Sequence, residues 1–137
     1  MRVFIDTSAF ISYFRKDATY HSEVSEKLDL YQKTKTRLFT SDYVLDELFT
    51  WFVSRYHRSL VEKIFVYLQR AEIEGEIKVL FIDRHVFKKT QALFLKFSEH
   101  KISFTDAVSY VLYKDFKMDE IFTLDRDFKK LRLKTSF

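Results

Sequence analysis

The chain has 137 residues, a length that suits one domain with a single core and is too short for two. Apolar residues make up 47%, but no uninterrupted apolar run approaches the ~18 residues a membrane span needs, and Asp6 breaks the N-terminus as no signal peptide would allow. The net charge of +4, from 24 Lys and Arg against 20 Asp and Glu, suits a polyanionic partner, and the absence of cysteine excludes disulfides, thiolate zinc sites and cysteine nucleophiles.

With one glycine, Gly75, and no proline, element boundaries rest on hydrophobic periodicity. A strand is expected over residues 2–5, followed by helices over 7–15 and 20–33 and a second strand over 37–40. Ser41 or Asp42 should cap a helix running to Tyr56. A further helix over 59–74 should end beside Gly75 in a left-handed C-cap. The "KVLFI" run, 78–82, reads as the clearest buried strand, and a helix should fill 83–99. Ser103 or Thr105 opens a helix to Asp115, 120–124 is a strand, and Asp125 should cap a short helix through Leu131. Leu133 and its neighbours are candidates for an edge strand. Short apolar strands alternating with helices predict a parallel sheet with helices on both faces, a three-layer α/β/α sandwich forming one domain over residues 1–137. In open sheets of this kind ligands bind beyond the carboxyl ends of the strands, and Asp6 and Asp125 stand there.

Two more acids stand out. In "DYVLDELFTWF" Glu47 borders the apolar stripe of Val44, Leu48, Trp51 and Phe52, whereas Asp46 faces the polar row of Asp42 and Thr50. A glutamate at a core-facing helix edge needs a partner or a cation. In "SFTDAVSYVLY" Asp106 lies in the first turn of a helix that is apolar on most sides, where the helix dipole alone would favour it. If Asp6, Glu47, Asp106 and Asp125 converge, each pair ~4 Å apart repels by about 4 kcal/mol at an effective dielectric of ~20. Several such pairs rival a whole domain stability of ~5 to 15 kcal/mol. Such a cluster must protonate or hold a divalent cation, and hard carboxylates suit Mg2+ or Mn2+. The four histidines, His21, His57, His85 and His100, form no i, i+4 pair, so a zinc site is not expected.

The order "FIDTSAFI", "VLDELFT", "SFTDAVSYV", "IFTLDRDF" resembles the PIN domain family, in particular its small VapC-like toxins of toxin-antitoxin pairs. The resemblance runs from Val3 to Phe128 and implies a parallel sheet of strand order 3-2-1-4-5 with a metal-dependent ribonuclease site. It implies Asp6, Glu47, Asp106 and Asp125 as the acids that hold Mg2+ or Mn2+ and carry catalysis. It further implies Thr7 or Ser8 together with Thr123 as supporting hydroxyls, and Asp127 as a contact to a second metal through water. Missing prolines, scarce glycine and abundant Phe and Lys depart from the family pattern. Arg15, Lys16 and Arg126 lie close in sequence to the acidic motifs and are candidates for RNA contact, although surface solvation is the stronger prior.

The leading expectation is therefore a cytoplasmic endoribonuclease toxin that prefers single-stranded RNA, with a small antitoxin partner, a homodimeric state and no membrane association. Phe10, Tyr13 and Phe14, or Phe49, Phe52 and Tyr56, are candidates for an interaction surface, with burial in the core as the competing reading. The alternative is a catalytically silent scaffold of the same fold that binds RNA or protein. An aspartyl-phosphate phosphatase would use a nucleophilic Asp after the first strand, but its companion acid two residues on is replaced by Ser8.

Overall fold

The computed structural model describes residues 1–137. Four parallel strands form the central sheet: β1 (Arg2–Ile5), β2 (Arg37–Ser41), β3 (Ile77–Leu80) and β4 (Glu120–Phe122), in the order β3-β2-β1-β4. The helices that join them are α1 (Thr7–Phe14), α2 (His21–Lys33), α3 (Asp42–Val53), α4 (Arg58–Ile73), α5 (Arg84–Lys96), α6 (Phe104–Asp115) and α7 (Asp127–Lys130). The expected α/β/α architecture is present, with helices flanking the parallel sheet.

β1 occupies the middle of the sheet, pairing with β2 on one side (Phe4 with Phe39) and β4 on the other (Ile5 with Phe122). Burial on both faces explains its uniformly apolar sequence: Val3, Phe4 and Ile5 are at most 2% exposed. The chain moves outward from β1 through β2 to β3 and then returns to place β4 on the opposite side. This reversal puts a crevice beyond the carboxyl ends of β1 and β4. The two loops that carry Asp6 and Asp125 border that crevice.

Three sequence expectations need correction. A fifth strand is reduced to a single parallel bridge between Ile121 and Thr135, so the fifth place beside β4 is held by one residue of the C-terminal tail. The "KVLFI" run is not the fully buried strand expected: β3 ends at Leu80 on the sheet edge, and Phe81 is 73% exposed. Finally, the apolar run of α1 belongs to the core. Phe10 is buried, Phe14 meets Phe52 and Tyr67 edge-on, and Tyr13 packs against Tyr67. Of the other candidate surface, Phe52 is buried, while Phe49 and Tyr56 pack against Phe65 and Trp51.

Scarce glycine is met by long basic side chains. Gly75 ends α4 at φ 75° in a Schellman motif, with its own N–H donating to the Glu72 carbonyl and Glu76 N–H to Ala71. Lys35, Lys117 and Arg132 take the same left-handed position, at φ of 54°, 53° and 61°, after α2, α6 and α7. Each repeats the paired hydrogen bonds, for example Lys117 N–H to Lys114 and Met118 N–H to Tyr113. A cation at the negative end of the helix dipole offsets part of the steric cost that a β-carbon brings there.

Candidate metal centre

Asp6 follows β1 directly and is 3% exposed. Burying a carboxylate there requires hydrogen-bond donors, and two hydroxyls supply them. Thr123 Oγ1 donates to Asp6 Oδ2 at 2.8 Å, and Ser8 Oγ lies 3.1 Å from the same oxygen and 3.0 Å from Thr123 Oγ1. Both hydroxyls also accept backbone N–H groups of the β4–α7 loop, Ser8 from Leu124 at 2.9 Å across the crevice and Thr123 from Asp125 at 3.0 Å within its own loop. The β1–α1 junction is thus fastened to the β4–α7 loop around the Asp6 carboxylate. Ser8, rather than Thr7, joins this network: Thr7 Oγ1 is buried without a partner.

Asp106 is the third residue of α6 and takes part in a capping box, its N–H donating to Ser103 Oγ while its Oδ2 accepts from Ser103 N–H. The cap fixes the carboxylate's position without excluding a further role. Asp125 Oδ1 accepts the Asp127 N–H at 2.9 Å, an Asx turn that leads into α7. The residue preceding that helix is Arg126, so Asp125 shapes the turn ahead of α7 instead of standing at its first position. The same turn brings Asp127 inward, and one carboxylate oxygen from each of Asp106, Asp125 and Asp127 lies within 4.8 Å of the others.

Asp6 and Glu47 are outside this tightest triad but within its electrostatic reach. Burial pushes Asp6 up to about 6, against the hydroxyl of Thr123, the backbone of Thr7 and the hydroxyl of Ser8, and the Glu47 carboxylate raises it further. Asp106 is pushed up to about 7, first by burial and then by the Asp6 charge; the Ser103 backbone opposes this and Asp125 adds to it. Glu47 is half-buried and Asp46 exposed, as the helical stripe predicted. The five acids come from the ends of β1 and β4, the middle of α3 and the first turns of α6 and α7.

The candidate RNA contacts are more dispersed. Arg126 and Lys129 flank Asp125 in a cleft of about 280 Å³ that also includes Tyr20. Lys16 is exposed, and Arg15 lies against Trp51 with its guanidinium carbon 5.5 Å from the ring centroid. A hollow of about 620 Å³ lies at the other end of the sheet, lined by Lys35, Arg37, Glu72 and Lys78, and contains none of the five acids.

The donor set Asp106, Asp125 and Asp127 consists of carboxylates alone, with Lys130 Nζ 3.1 Å from Asp127 as its nearest cation. Carboxylates this close repel by an amount on the order of 3 kcal/mol per pair. Hard oxygen ligands without imidazole or thiolate fit Mg2+ or Mn2+ better than softer metals. Sequence reasoning expected Asp127 only through water; the turn closed by Asp125 is what draws it into the group.

No curated protein sequence matches the chain. Among solved structures, the chain is similar to VapC20 of Mycobacterium tuberculosis, described as a sarcin-ricin loop cleaving toxin. The identity is 20% and the TM-score 0.78, over 96% of this chain and 95% of that one. It is also similar to VapBC2 of Rickettsia felis, a complex bound to a DNA fragment from its promoter, at 15% identity and TM-score 0.74 over 99% and 98% of the two chains. A family model for the PIN domain matches residues 3–134, nearly the full length, and the chain belongs to the PIN domain family.

Proposed function

We propose that this protein is a metal-dependent endoribonuclease that hydrolyses RNA phosphodiester bonds, acting as the toxin of a toxin-antitoxin pair. The observation that carries the reading is the convergence of Asp106, Asp125 and Asp127 at the switch point of the sheet, with Asp6 and Glu47 coupled to them electrostatically. Similarity to VapC20, whose description names RNA-loop cleavage, and to a VapBC complex supports the substrate class and a small antitoxin partner. A homodimeric state and a cytoplasmic location belong to the same reading.

In this scheme Asp6, Glu47, Asp106 and Asp125 hold Mg2+ or Mn2+, and Asp127 assists through water or directly. Held there, such a cation would supply Lewis acidity toward the water and the phosphate. The protein residues do the rest. Thr123 and Ser8 fix the Asp6 carboxylate, so its orientation costs little reorganisation when the reaction begins. Asp106 or Asp125 is placed to take a proton from the attacking water. No side-chain nucleophile is required.

The test is cleavage of single-stranded RNA by the purified protein with Mg2+ or Mn2+. Wild type should cleave, EDTA should abolish the activity, and Asp6→Asn and Asp106→Asn should each lose it. Undiminished cleavage by both variants would sink the assignment.

A further inference from the structure

A groove of about 350 Å³ leads away from the acidic centre along α3. Glu47 and Thr105, the neighbour of Asp106, line one end of it, and Trp51, Ser54 and Arg55 line the other. Four residues of helix separate Glu47 from Trp51, a rise of about 6 Å, so the groove adjoins the site without being part of it.

Arg55 is held in this groove as a preoriented cation. Its guanidinium carbon lies 4.4 Å from the Trp51 ring centroid, and Nη1 donates to the Trp51 carbonyl at 3.1 Å and to Ser54 Oγ at 3.0 Å. Its other guanidinium N–H groups make no bond within the protein, and no carboxylate forms an ion pair with it. Arg15 places a second guanidinium 5.5 Å from the same indole, with a buried Nε that lacks a hydrogen bond and a long 3.6 Å contact to exposed Asp17. Two cations share one aromatic ring, which is electrostatically unfavourable until an anion arrives. Stacking keeps the guanidinium plane fixed, so little side-chain entropy is lost when it binds.

We propose that this groove binds the phosphates of the RNA strand beside the scissile bond, with Arg55 as the phosphate ligand, Trp51 as its platform and Arg15 adding positive potential. The inference rests on the nuclease reading and names where its substrate runs. An RNA strand fits better than an acidic peptide. Trp51 is the one hydrophobic residue lining the groove, so there is no pocket for apolar anchors, while Thr50 and Thr105 offer hydroxyls to phosphate and ribose. Asp46 also lines the groove, but it is exposed.

Trp51 is the only tryptophan in the chain, so its emission reports on the groove directly. The wild-type protein in EDTA is titrated with a single-stranded oligoribonucleotide at several salt concentrations, and RNA turnover is then measured with Mn2+. Saturable change of Trp51 emission is expected. Arg55→Gln should weaken binding about fivefold or more and reduce the slope of log Kd against log salt by about 0.7. It should raise KM by the same factor while kcat changes less than about twofold. Trp51→Phe should raise KM in the same direction, whereas Arg58→Gln, an exposed residue paired with Glu62, should match wild type. Wild-type Kd, salt slope and KM in Arg55→Gln would overturn the proposal while leaving the nuclease reading intact. So would tighter binding of poly-glutamate than of RNA. RNA binding that depends on Arg55 without any turnover by wild type would fail the nuclease reading and keep the groove.

Discussion

Two buried carboxylates, one at each end of the sheet, are held in nearly the same way and have different surroundings. Asp6, beyond the carboxyl end of β1, is 3% exposed and bonded by the hydroxyls of Thr123 and Ser8. Glu120, at the start of β4, is 5% exposed and bonded by the hydroxyls of Tyr31 and Ser136, with Lys134 Nζ 4.0 Å away. Hydroxyl pairing therefore does not distinguish the two acids. Asp6 is coupled to Glu47 and Asp106, and Asp106 to Asp125, whereas the nearest charge to Glu120 is a lysine. The Glu120 network fastens the C-terminal tail to α2, and burial together with Glu120 holds the Tyr31 hydroxyl above its usual range. Like charges gather at one pole, and a single satisfied carboxylate stands at the other.

Substitution at the two poles should separate these roles. Asp106→Asn should lower RNA cleavage on the order of 100-fold or more, while Glu120→Gln should leave it close to wild type. Equal loss in both would erase the distinction. One step removed from the acids, Ser8→Ala loosens the fastening of Asp6 and should reduce kcat about tenfold. Tyr31→Phe, its counterpart, should cost about 1 to 3 kcal/mol in denaturant unfolding with unchanged kcat.

The acidic pole should also give the protein a metal-dependent pH profile. In the metal-free protein Asp6 and Asp106 hold protons to about 6 and 7, against 3.8 for the ordinary carboxyl. The folded state thus binds more protons than the unfolded state over that range. Their stabilising contribution is complete below about pH 4 and is lost as pH rises through 6 to 7. Thermal unfolding in EDTA should therefore drop between pH 5 and 8 more in wild type than in Asp106→Asn. Mn2+ should restore wild-type stability above pH 7, because it binds the ionised carboxylates. A metal-free profile identical in the two proteins would contradict the coupling.

The smallest effect concerns the glycine-poor helix ends. Lys117→Gly removes a β-carbon from a left-handed position at φ 53° and should stabilise the protein by about 1 kcal/mol, with no change in cleavage. A loss of stability would mean that the lysine charge at the end of α6 outweighs the backbone cost.

Much of this organisation was legible in the sequence because it follows from burial. The apolar run of β1 ended at a charge, Glu47 fell at the edge of an apolar stripe, and Asp6 and Asp125 stood just after strands. Other features depend on contacts between distant segments, which periodicity cannot report. The choice of Ser8 over Thr7 is made by Leu124 N–H across the crevice, and the inward position of Asp127 by the Asp125 turn. The expected burial of "KVLFI" failed beyond Leu80, since an apolar run looks the same where the strand ends as where it is covered. The approach of Arg15 to Trp51 had no signal either, because the two are distant in the chain, whereas Arg55 stands four residues after Trp51, a spacing that helical periodicity brings to one face.

Calorimetric titration with Mn2+ at pH 8 tests most directly whether the acidic pole is a cation site. Wild type and Glu120→Gln should bind Mn2+ alike, and Asp106→Asn should lose most of the heat. Equal binding by all three proteins, or none by wild type, would contradict the account.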